Sequence, residues 1–73
     1  MRRYTIVLTP DTDEGGYSVE VPSLPGLHTQ GDTYDRALAN ARAAIVFHLE
    51  CLEAEGEPIP EESVAPQLAT IDI

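Results

Sequence analysis

The sequence predicts an α+β fold: a small antiparallel sheet of three strands plus a C-terminal strand, with one long helix packed on it, in the order β-β-β-α-β. Three observations carry this. Short β-rich segments punctuated by proline and glycine fill residues 4–30. A run without either breaker, rich in alanine and leucine, follows from residue 34 to Gly56. A last segment with strand-like composition, residues 68–73, comes after a proline-rich stretch.

Residues 4–9 read as the first strand, with Tyr4, Ile6 and Leu8 on one face and Thr5, Val7 and Thr9 on the other. Pro10 ends it. Residues 11–16 form an acidic, glycine-ended loop; its three acids lack the spacing of a calcium-binding loop, so it reads as a solvated turn. Residues 17–21 alternate cleanly, with Tyr17, Val19 and Val21 inward, as a half-buried strand antiparallel to the first does. Pro25 and Gly26 then set a turn that pins Leu24 into the core, and residues 27–30 make a short third strand.

Thr33, or Asp32 before it, is placed to cap a helix of about six turns, although Arg36 stands where a capping box would want Glu. At about 100° per residue, Tyr34, Leu38, Ala41, Ile45, Leu49 and Leu52 share a stripe expected to pack on the sheet. Arg36, Asn40, Ala43, Phe47, Glu50 and Ala54 point the other way. The only phenylalanine thus stands outward among small neighbours, which marks Ala43, Phe47, Glu50 and Ala54 as candidate interface residues. Gly56 stops the helix. Residues 56–66 are a proline-rich acidic connector, and the strand after it, with Ile71 as a further interface candidate, can close a sheet edge or pair with another copy.

Four arginines, no lysine and thirteen acids leave a net charge of −9. Such a surface is repelled by phosphate, so direct binding of nucleic acid or of anionic membrane is not expected. A basic protein partner suits it, as does simple solubility. One domain, residues 1–73, is expected, small enough that association would help its stability. Cys51 is alone, so no intrachain disulfide forms, and no apolar run is long enough for a signal peptide or membrane span; the expected location is cytoplasmic.

Catalytic chemistry is poorly provided for. His48 and Cys51 lie three apart on the helix, yet two ligands do not make a zinc site, and His28 reads as a surface histidine. Neither Ser18 nor Ser63 sits in a nucleophile elbow, and Glu20 is the only acid inside an internal strand, too few for a two-metal nuclease. No enzyme, metal or cofactor is expected; a nuclease would be revived only by metal-dependent cleavage that Glu20→Gln abolishes.

Gly16 to Thr33 reads Gly-Tyr-Ser-Val-Glu-Val-Pro-Ser-Leu-Pro-Gly-Leu-His-Thr-Gln-Gly-Asp-Thr, followed by an alanine-rich helix and then Gly-Glu-Pro-Ile-Pro from Gly56 to Pro60. In this order the three motifs closely resemble the HicB-like antitoxin family of toxin–antitoxin systems, over nearly the whole chain and most firmly across residues 4–60. The resemblance implies a truncated RNase H-like fold without nuclease activity, and a partner, the HicA-like toxin: a small basic mRNA interferase with a catalytic histidine, which family antitoxins cover. It also implies homo-dimers or homo-tetramers. Full antitoxins carry a C-terminal DNA-binding segment that has no counterpart here, so autorepression is not expected. The motif is structural and transfers no catalytic residue. The function expected is neutralisation of such a toxin by masking its active site; the alternative is an orphan self-associating scaffold.

Overall fold

The computed structural model of the chain describes residues 2–73. Its elements are β1 (Val7–Pro10), β2 (Tyr17–Glu20), β3 (His28–Gly31) and α1 (Tyr34–Ala54). The strands form one antiparallel sheet in the order β1-β2-β3, and α1 lies across one face, mainly over β3 and β2. Leu8, Val19 and Thr29 are directly opposed across the three strands and so share the helix-facing side. Ser18, Glu20, His28 and Gln30 fall on the other side, which stays open to solvent.

Turn chemistry closes the sheet as expected. In the loop after β1 the Asp11 carboxylate accepts the backbone N–H groups of Asp13 and Glu14, at 3.0 and 3.1 Å, so this acid serves the backbone. Between β2 and β3 the N–H of Leu24 donates to Val21 O and that of Leu27 to Leu24 O, with Gly26 at φ +88°. These bonds point the Leu24 side chain inward, where it is 1% exposed. Thr33 caps α1 by accepting the Arg36 N–H at 3.0 Å. At the far end Gly56, at φ +70°, donates to Glu53 O while Glu57 donates to Leu52 O, the paired bonds of a Schellman stop.

Helix and sheet meet through small residues. Ala37 and Ala41 are buried against Val19, with Ile6, Leu8 and Tyr17 packed around them. Gly31 lets the first turn of α1 come this close, because a Cβ there would overlap the Ala37 backbone. Tyr17 and Tyr34 pack edge-on at 5.8 Å and tie the helix start to β2.

Three expectations need correction. The buried stripe of α1 is centred on Ala37 and Ala41, rotated by roughly 60° from the predicted one. Tyr34 and Leu38 from the predicted stripe are exposed, whereas Asn40, expected to point outward, donates through Nδ2 to Gln30 O at 2.7 Å. Alanines win the sheet side because they allow the closer approach over Gly31. Second, residues 4–6 lie outside β1. β2 ends at Glu20, ahead of Pro22, and Val21 N–H turns to Leu27 O, so the ladder has no further partner for them.

The third correction concerns the C-terminal strand: residues 68–73 form no strand within this chain. The connector before them is clasped to the N-terminal segment and the turn after β2. Glu62 takes the Thr5 N–H at 2.8 Å, the Thr5 hydroxyl at 2.6 Å and the Ser23 hydroxyl at 2.9 Å, and Tyr4 donates to Pro60 O. Beyond this clasp the chain runs free, with Val64, Leu68, Ile71 and Ile73 all more than 80% exposed. The radius of gyration, 13.8 Å, accordingly exceeds the roughly 11 Å of a compact chain this long.

The Glu62 clasp is pH-sensitive. The Thr5 hydroxyl, then the Thr5 N–H, hold the carboxyl below the ordinary glutamate range; partial desolvation opposes them, and the Ser23 hydroxyl adds to the lowering. A folded-state value below the unfolded one means that the contribution is present above the unfolded pKa and lost as pH falls through the folded one. The Thr5 amide resonance should therefore titrate with a midpoint below that of a free glutamate, and Glu62→Ala should speed hydrogen exchange at Thr5 at neutral pH. A Thr5 amide that neither titrates nor exchanges faster in the variant would contradict the clasp.

Candidate protein-binding surfaces

Ala43, Phe47, Glu50 and Ala54 fall within about 60° of arc on α1, and all four are exposed. Phe47 is 68% exposed, the most exposed large apolar side chain of the helix. The structure thus gathers four of the five sequence-nominated residues on one face. Ile71 is not with them; it sits on the free C-terminal segment.

A second surface was not legible as such in the sequence. The 60° rotation of α1 moves Leu38, Ile45 and Leu49 to the flank of the helix, beside Val46. Together with Tyr4 and Ile6 they line an open apolar groove of about 440 Å³ between the N-terminal segment and α1. Arg2 and Arg42 stand in it, so half of the chain's four positive side chains serve this one feature. A usable signal was the triplet Ile45-Val46-Phe47: three consecutive bulky apolar residues span 200° of a helix and cannot all face one sheet.

Little else offers chemistry. Among the described residues no three His, Cys, Asp or Glu side chains gather where they could hold a metal ion. His28 is exposed, while His48 and Cys51 are half-buried on the sheet side of α1. No helix among the described residues is long and apolar enough to cross a membrane. The surface is acidic, with exposed apolar residues on α1 and on the C-terminal segment.

Residues 4–71 match the family described as the HicB-like antitoxin of bacterial toxin–antitoxin systems. A UPF0150 protein of Synechocystis sp. is 43% identical over 61 residues, covering 84% of this chain and 76% of that protein. Another UPF0150 protein, from Thermoplasma acidophilum, is 44% identical over 61 residues, 84% of this chain and 87% of its own. Antitoxin HicB 1 of Photorhabdus laumondii is 41% identical over 58 residues, which are 80% of this chain but only 37% of that antitoxin. With the match spanning nearly its whole length, the chain belongs to the HicB-like antitoxin family of bacterial toxin–antitoxin systems.

Proposed function

We propose that this protein neutralises a small basic RNA-cleaving toxin of the HicA-like kind by binding over its active site, as a homo-dimer or homo-tetramer in the cytoplasm. Family membership supports a toxin as the partner. The observation that carries the reading further is the combination of a net charge of −9 with an exposed aromatic on a rigid helix face. Acidic groups would steer a basic toxin at long range, and they mimic the charge of the RNA that the toxin binds. Phe47 would then anchor the contact: aromatic residues ringed by small or polar neighbours are the usual places where truncation weakens an interface most. The role asked of the protein is steric and electrostatic and needs no catalysis.

The test is co-expression with the small basic toxin encoded nearest to the gene, together with binding of the purified pair. Wild-type protein should relieve growth arrest and form a complex. Phe47→Asp should leave the circular dichroism spectrum unchanged and weaken the complex at least about tenfold, about 1.4 kcal/mol. Normal rescue by Phe47→Asp would remove the α1 face from the reading. A chain that binds no such toxin would leave the self-associating scaffold in its place.

A further inference from the structure

We infer that the C-terminal segment is an exchange arm, and that residues 68–73 of one copy seat in the apolar groove between the N-terminal segment and α1 of a second copy. The inference rests on the proposed self-association and is independent of any toxin. Plug and socket are both present and both empty in the single chain. On the arm, strand alternation puts Ala69, Ile71 and Ile73 on one side and Leu68, Thr70 and Asp72 on the other, and Ile71 is 83% exposed. The socket offers Leu38, Ile45, Val46 and Leu49, of which Leu38 and Val46 are 37% and 46% exposed despite belonging to the main helix.

Length and charge agree as well. Six extended residues span about 20 Å; the groove, followed along α1 from Leu38 to Leu49, is about 17 Å long. With Ile71 and Ile73 in the groove, Asp72 comes within the reach of Arg2 and Arg42, which line it. A second copy would otherwise be repelled by a chain of net charge −9; the groove is the place where two of its four arginines collect. The arm starts at the clasp of Glu62 on Thr5, next to Tyr4 at the groove, so each chain gives its arm from beside the socket in which it receives one. Two copies can therefore exchange arms about a two-fold axis and close the assembly as a dimer, leaving neither groove open. A closed exchange also covers the segment's exposed apolar side chains, which would otherwise invite open-ended association.

The experiment uses the full chain, without toxin, in sedimentation velocity and native mass spectrometry. Wild-type protein should be dimeric at micromolar concentration. Ile71→Asp, which spoils the plug, and Val46→Asp, which spoils the socket, should each weaken the dimer at least tenfold with unchanged helix content by circular dichroism. Ile71→Asp retains a sound groove and Val46→Asp a sound arm, so a one-to-one mixture should form a heterodimer more tightly than either variant pairs with itself. Monomeric wild-type protein, an undiminished Ile71→Asp dimer, or a mixture with no preference for the heterodimer would each overturn the proposal. Loss of dimer with Val46→Asp alone would assign the contact to a face-to-face pairing of helices, which also overturns it.

Discussion

Truncating Leu24 to alanine is expected to cost about 3 kcal/mol, within the roughly 2–5 kcal/mol range of buried leucines. In a domain this small that corresponds to a fall in melting temperature of roughly 12–24 °C. Leu24 is 1% exposed and is the largest side chain among the described residues to be so enclosed. The turn that carries it is stitched by Leu24 N–H to Val21 O at 2.9 Å and by Leu27 N–H to Leu24 O at 3.1 Å. With the backbone fixed, the site cannot collapse into the space left by the missing atoms, so the cavity adds to the lost burial. Thermal melts followed by circular dichroism would check this. A shift below about 4 °C would mean that the turn relaxes, or that burial of Leu24 matters less than its place in the fold suggests.

Gly31→Ala should be nearly as damaging, for the opposite reason. In most strands alanine is favoured over glycine, by roughly 0.5–1 kcal/mol. Here the added Cβ meets the backbone of Ala37 and Arg36, and backbone cannot swing aside as a flexible side chain can. The helix would have to lift from the sheet and loosen the contact of Ala37 and Ala41 with Val19. The expected loss is about 1–3 kcal/mol, read as a lower urea midpoint with an unchanged slope. Gly15→Ala supplies the contrast. Gly15 has open space around it but a φ of +82°, so its substitution carries only the left-handed backbone penalty of about 1–2 kcal/mol and should leave helix–sheet packing intact.

Residues whose roles are local were legible in the sequence. Thr33 caps, Gly56 stops, Gly26 turns and Leu24 anchors, each because a short stretch of backbone demands that residue type. The face of α1 was less legible, because hydropathy ranks leucine and isoleucine above alanine while the sheet surface selects for closeness. Gly31 was the missing clue: a glycine beneath the first helical turn calls for alanine above it, not leucine. Glu62 was missed for a related reason. In a run of acids and prolines it looks like solubilising surface, and only the fold brings Thr5 and Ser23 within its reach. The four helix positions nominated for an interface do share one exposed face, since a fixed angular period can be read before any tertiary contact is known. The flanking groove could not be read that way, because it depends on where residues 2–6 run.

The Glu62 clasp also sets the length of a tether. Without it, the extended segment would be counted from the helix stop at Gly56, about seventeen residues to Ile73; with it, about eleven remain. A shorter leash concentrates the tail's apolar tip in a smaller volume around a fixed origin, and fewer rotatable bonds must be frozen when that tip finds a surface. Acidification that protonates Glu62 would pay out the slack. One carboxylate, remote in sequence from everything it holds, thereby governs how far residues 63–73 can reach.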